Sequence, residues 1–180
     1  YKRKEYFMVM DNIMVLPESK ELLELSKQLG FTKTLFIERD FVLVSGGTKK
    51  ELLKKVSSAK GKKKLVFYKP LTEEMLRFAL EKTAVDLIFG FEMINPKDSV
   101  HYLRGALDQV VCKIAASKEK MIGFSFFDIL NSNKRAKLMA RMRQNMRLCK
   151  KYKVKMVFSN FALTKEEMRS AKDLDVFFKV

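Results

Sequence analysis

The chain has 180 residues, of which 47% are hydrophobic and 11% aromatic, enough to bury a sizeable core and too much for a disordered chain or a basic tail. Lysine and arginine number 37 against 21 acidic residues, a formal charge of +16 that favours a polyanionic partner. His101 is the one histidine, which excludes any site needing two imidazoles and with it most hydrolytic zinc and di-metal chemistry.

Short apolar runs alternate with longer amphipathic ones. Tyr6 to Met10 reads as a first strand, with a brief continuation at Ile13 to Leu16. Pro17-Glu18-Ser19 opens a helix whose apolar positions are Leu22, Leu25 and Leu29, and Gly30 closes it. Thr34 to Ile37 and Phe41 to Val44 are two close strands, and Gly46-Gly47-Thr48 starts a helix with Leu52, Leu53 and Val56 inward. A lysine turn at Lys60 and Lys62 to Lys64 leads to the strand Leu65 to Tyr68, and Thr72 is placed to cap the next helix. Val85 to Phe89, apolar except for Asp86, is the next strand candidate. The spacing of Val100, Leu103, Leu107, Val110, Val111 and Ile114 predicts a helix over Ser99 to Ser117. Strands at Met121 to Phe124 and Val154 to Phe158 flank the longest helix, Asn133 to Tyr152, and a last helix starts at Thr164.

Strands that are apolar on both faces and separated by helices predict a parallel sheet covered by helices. Seven or eight of them suit an open doubly wound sheet or a closed barrel, although a (β/α)₈ chain typically needs about 250 residues. One domain spanning 1–180 is expected, with no repeat and no low-complexity linker. No run approaches the roughly 18 apolar residues of a membrane span. Tyr1-Lys2-Arg3-Lys4-Glu5 shows neither a signal-peptide core nor an initiator methionine, so a few residues are expected to have been removed or left out. Cys112 and Cys149 form no disulfide framework or zinc set, and a reducing cytoplasm is the simpler expectation.

Motifs for small-molecule chemistry are sparse. Gly46-Gly47-Thr48 belongs to neither G-x-G-x-x-G nor a P-loop and reads as a tight turn. Ser125, Ser159 and Asn160 fall at strand ends, where parallel folds place active sites, but lack a nucleophile elbow. Glu38, Asp40, Glu92 and Asp98 would have to converge for a stand-alone metal-dependent phosphoesterase, the alternative function. His101 reads as a partly exposed helix residue.

The basic residues carry more. Between Ile129 and Lys165 there is no acidic residue, and eleven basic ones: Lys134, Arg135, Lys137, Arg141, Arg143, Arg147, Lys150, Lys151, Lys153, Lys155 and Lys165. The rest of the chain has 26 basic against 21 acidic residues. On a helical wheel Leu138, Met139, Met142, Met146 and Cys149 form the inward stripe, while Lys137, Arg141, Arg143, Arg147 and Lys151 spread over the other side. So broad a cationic face suits backbone phosphates better than base edges. A plain solvated face and an acidic protein partner remain the other readings. Arg135 projects toward the predicted strand ends, and Lys69, Arg77 and Arg104 are placed to join it.

From Ala84 onward the sequence resembles a family. Val85-Asp86-Leu87-Ile88-Phe89, Arg104-Gly105-Ala106-Leu107-Asp108-Gln109-Val110, Ile122-Gly123-Phe124-Ser125-Phe126, Asn133-Lys134-Arg135-Ala136 and Lys153 to Asn160 follow one another as in archaeal ribonuclease P protein component 3. That family is the relative of the thirty-kilodalton subunit of eukaryotic ribonuclease P. The resemblance implies a compact α/β TIM-like barrel of seven or eight mostly parallel strands wrapped by helices. It implies a subunit of the ribonucleoprotein that removes the 5′ leader from precursor tRNA, bound to the catalytic RNA and to another small protein subunit. Catalysis and its Mg²⁺ then belong to the RNA, with no cofactor and no catalytic residue in the protein. RNA contacts are expected at Lys69, Arg77, Arg104, Lys134, Arg135, Lys137, Arg141, Arg143 and Arg147, and the protein partner around Leu107 and the last helix.

Overall fold

The computed structural model describes residues 8–9 and 11–179. Eight strands are present among them: β1 (Met8–Val9), β2 (Asn12–Met14), β3 (Thr34–Phe36), β4 (Phe41–Ser45), β5 (Leu65–Lys69), β6 (Leu87–Phe89), β7 (Met121–Ser125) and β8 (Lys155–Ser159). Tyr6, Phe7 and Met10 of the expected first strand lie outside the described residues. All pairings are parallel. Six strands form one sheet in the order β1-β8-β7-β6-β5-β4, and β2 pairs with β3 in a second. Single parallel bridges, Ile37 to Phe41 and Met14 to Ala162, join the two sheets.

Parallel strands need crossovers, and helices supply most of them. These are α1 (Lys20–Gln28), α2 (Lys49–Gly61), α3 (Glu73–Lys82), α4 (Gln109–Ser117), α5 (Phe126–Asn131), α6 (Arg135–Tyr152) and α7 (Ala171–Lys179). Side-chain oxygens of Ser19, Thr48, Thr72, Asp108 and Ser125 cap the first five by accepting from an amide three residues on.

Alternation along each strand divides the apolar residues between two layers. Val44, Val66, Tyr68, Ile88, Ile122, Phe124, Met156 and Phe158 pack against helix residues such as Leu52, Leu76, Cys112, Leu138 and Cys149. Ile13, Phe41, Phe67, Leu87, Phe89, Val157 and Phe161 form a separate buried cluster on the other face, joined from the helices by the partly buried Phe127 of α5. Rings stack there: Phe41 on Phe67 and Phe89 on Phe161, each pair with centroids 4.3 Å apart. Cys112 on α4 and Cys149 on α6 are buried free thiols. No helix among the described residues is long and apolar enough to cross a membrane.

The helix expected over Ser99 to Ser117 exists only from Gln109. Ala106 takes a positive φ of 68° and Asp108 Oδ1 accepts from the Val111 amide at 2.7 Å, so the helix has a cap nine residues later than its apolar spacing suggested. Val100 is therefore 95% exposed, and His101 sits on an exposed loop. The last helix also divides: Thr164 starts a single 3₁₀ turn, Lys165–Glu167, before α7. Sequence periodicity missed α5, whose start is the pattern Ser125-x-x-Asp128.

Candidate nucleic-acid interface

Helix α6 is cationic from end to end and begins without a cap: Lys134 makes no side-chain bond to the first turn, and no acidic residue lies in that turn. The four amides of a helix start and the positive end of its dipole favour an anion. Here they meet Lys134, Arg135 and Lys137 instead. Like charges are thus concentrated at one point of the surface.

Not all of the helix is available. The wheel placed Arg141 outward, but its side chain is fully buried. Nε and Nη2 donate to Asp98 Oδ1 at 2.9 and 2.6 Å, and Nη1 donates to the carbonyls of Glu92 and Asn95, both at 2.7 Å. Arg141 therefore leaves the set of RNA contacts; it clamps the long loop after β6 onto α6. A wheel assigns charge outward because it cannot see a loop folding over the helix. Lys137 is half spent in the same way, its ammonium 3.1 Å from Asp98 and 2.9 Å from the Pro96 carbonyl. Met139, expected inward, is 42% exposed, and Asn145 takes a buried place.

Lys134, Arg135, Arg143 and Arg147 are exposed. Arg135 Nη2 donates to the Leu130 carbonyl at 2.7 Å, which holds the guanidinium beside the end of α5. Arg104 lies on the clamped loop, its backbone amide donating to Asp98 Oδ1 at 2.9 Å and its side chain exposed. Asp98 thereby draws Arg104, Lys137 and Arg141 together, and its carboxyl is held down to about 2 by the Arg104 amide and the two cationic side chains. Arg77 stands apart on α3 in a 2.7 Å pair with Glu81. Farther along α6, Lys151 lies over the Tyr152 ring at 5.5 Å.

Lys69 is not on this surface. Its ammonium is 3.0 Å from Asp128 Oδ1, and it lines a cavity of about 280 Å³ with Gly90, Glu92, Met93, Asp128 and Leu138. Glu92 is 1% exposed; burial first, then the Asp128 charge, pushes its carboxyl up to about 8. Glu92 Oε1 and Asp128 Oδ2 are buried without a hydrogen-bond partner. Gly90, at φ 68°, makes room, since a Cβ there would lie 2.6 Å from Lys69 Cε. Sequence reasoning missed Asp128, which the capping pattern after Ser125 points to.

The four carboxylates required for a metallophosphoesterase do not converge. Asp40 accepts from the Phe36 amide and pairs with Arg39, Asp98 is held by Arg141, and Glu38 is an exposed turn residue at φ 65°. No group of three or more His, Cys, Asp or Glu suited to a metal occurs among the described residues. Ser159 and Asn160 are structural: Ser159 Oγ accepts from the Ile13 amide at 2.7 Å, and Asn160 donates to Asn12 at 3.0 Å.

Residues 42–180 match the family RNase P subunit p30. The chain belongs to that family. The p30 match starts at Val42, well before Ala84, where the segments that resemble the archaeal subunit begin. The fold is similar to that of a chain in a cryo-EM structure of archaeal ribonuclease P with mature tRNA, with a TM-score of 0.80 at 22% identity over 95% of this chain and 81% of that one. A crystal structure of an amidohydrolase is similar at TM-score 0.56 and 16% identity, over 88% of this chain and 42% of that one. At such identities the likeness is one of fold alone. In this p30 chain α6 carries exposed cations and no acidic residue, and the loop that Arg141 holds adds Arg104.

Proposed function

We propose that the chain is a protein subunit of ribonuclease P that binds the catalytic RNA and supports its removal of the 5′ leader from precursor tRNA. Family membership supports the assignment, and the observation that carries it to particular residues is the acid-free, uncapped α6. Phosphates laid against Lys134, Arg135, Arg143 and Arg147 answer the repulsion among them and supply the anion that the helix start lacks. The subunit works by neutralising and positioning RNA, with no proton transfer of its own and with Mg²⁺ on the RNA. Another small protein subunit and the tRNA complete the particle, in the cytoplasm.

The same reading takes the two sheets as one closed TIM-like barrel. A buried cluster drawn mainly from strand residues, on the face away from α2, α3, α4 and α6, fits strands that curl round onto themselves, and the bridges at Ile37–Phe41 and Met14–Ala162 would then lie at the seams. Reconstituting the particle with and without the chain at limiting Mg²⁺ tests the function. The chain alone should leave precursor tRNA intact and should raise processing when the RNA and the partner subunit are present. Unchanged processing across the Mg²⁺ series would overturn it.

A further inference from the structure

The cavity between the ends of β5 and β6 and the start of α6 has no part in phosphate binding by the helix surface. We propose that it takes one amino-bearing nucleobase turned out of the RNA strand that runs over α6. The proposal rests on the RNA reading above and adds a base contact to it.

Two buried acceptors define the chemistry. Glu92 Oε1 and Asp128 Oδ2 are buried with no hydrogen-bond partner among the described protein groups, and a buried unpaired acceptor is a standing cost that a bound donor removes. Both residues line one cavity, and the Asp128 charge is felt by the Glu92 carboxyl. The positive charge of the site is already supplied by Lys69, 3.0 Å from the other Asp128 oxygen and close enough to act on Glu92. A divalent ion or an alkylammonium would be repelled by that ammonium. An uncharged donor would not. An exocyclic amino group offers two N–H bonds on one nitrogen, one for each waiting oxygen, as when Asp or Glu accepts from the cytosine amino group. Uracil has no amino group.

The remaining walls suit a ring. Met93 and Leu138 present apolar surface, and about 280 Å³ lies at the small end of ligand pockets, which run from about 300 to 1,000 Å³. Burial keeps the Glu92 carboxyl largely neutral at pH 7, so it also has an O–H to donate to a ring nitrogen or carbonyl. Access fits an RNA source. Ser132 and Leu138 line the cavity and bracket Lys134, Arg135 and Lys137 in sequence, so a strand held by those cations passes the opening. Recognition of RNA commonly uses such splayed-out bases.

Methyl resonances of Met93 and Leu138 in the full chain provide the test, with CMP and UMP as matched probes. CMP is expected to shift both methyls saturably and to bind at least about tenfold more tightly than UMP, the discrimination of one good base contact. Glu92→Leu removes the acceptor without leaving a cavity and should abolish the CMP response while the other methyls stay in place. The CMP-to-UMP ratio needs no variant, so it decides even where Glu92→Leu does not fold. Equal responses to the two nucleotides, no response, or the same shifts produced by Mg²⁺ or spermidine would overturn the proposal. Oligocytidylate against oligouridylate is the second arm. RNA binding with no CMP response removes the base pocket and leaves the RNA reading; a CMP response without oligonucleotide binding overturns RNA as the source.

Discussion

Arg141 and Asp98, 43 residues apart, meet at 2.6 Å between Nη2 and Oδ1, and the guanidinium retains no exposed side-chain surface. The same guanidinium closes off the carbonyls of Glu92 and Asn95. One side chain thus supplies the hydrogen bonds that an irregular loop does not make to itself. Arg141→Ala is expected to destabilise the chain by about 1–3 kcal/mol, the cost of leaving the buried Glu92 carbonyl without its donor. Arg141→Lys should recover only part of this, because an ammonium lacks the planar fork that reaches both a carboxylate and two carbonyls. Urea unfolding followed by circular dichroism measures both; a loss below about 1 kcal/mol for Arg141→Ala would show that the loop is held by something else.

Two carboxyls of this region respond to pH in opposite senses. The Asp98 carboxyl is held down to about 2, so its contribution is complete above the ordinary value of 3.8 and is lost as pH falls through about 2. Glu92 is pushed up to about 8 by burial. The folded state therefore holds a proton that the unfolded state gives up near 4.5, and stability from this group declines as pH rises from there to about 8. A single such group changes stability by at most about 1.4 kcal/mol per pH unit. Glu92→Gln, with Lys69 and Asp128 left in place, should flatten the fall in urea midpoint between pH 5 and pH 8. Equal slopes for the two proteins would mean that Glu92 is not buried as a neutral acid.

Gly105 shows how closely the loop approaches α6. An added Cβ would lie 2.5 Å from Asn145 Oδ1, while Asn145 Nδ2 donates to the Gly105 carbonyl at 2.7 Å. Asn145 is fully buried and cannot swing into solvent. Gly105→Ala is expected to cost about 1–3 kcal/mol by overpacking. Adding Asn145→Ala should make the pair cost less than the sum of the single changes, because the clash partner is gone. Strict additivity in the thermal or urea data would separate the two residues.

Strands were legible in the sequence because burial on both faces writes an unbroken apolar run, as at Leu65 to Tyr68 and Leu87 to Phe89. Caps made most helix starts legible too: Ser19, Thr48 and Thr72 stand where the chain turns helical. The Val100 to Leu107 segment misled because its apolar spacing copies a helix, while Gly105, Ala106 and Asp108 end that possibility locally. Basic charge was visible as a composition, and so was its concentration on α6. Its division into exposed and buried members was not, since the groups that bury Arg141 lie 43 to 49 residues earlier in the chain. The pairing of Lys69 with Asp128 was equally hidden: the two are 59 residues apart and meet only because β5, β6 and β7 are neighbours.

RNA affinity offers the sharpest use of that division. Arg143 and Arg147 are exposed one turn apart on α6, so Arg143→Ala with Arg147→Ala removes two contacts and no core group. Arg141 must be left intact, since its loss would confuse unfolding with weaker binding. Each lost phosphate contact should reduce the slope of log affinity against log salt by about 1, so the double variant should bind ribonuclease P RNA more weakly with a slope shallower by about 2. Lys54→Ala with Lys55→Ala on α2 removes the same charge from two exposed positions elsewhere and should leave the slope near that of the parent. Filter binding over about 50 to 200 mM salt spans the range in which such contacts lose most of their strength. Equal effects of the two double variants would reduce the α6 surface to a diffuse attraction and remove it from the mechanism.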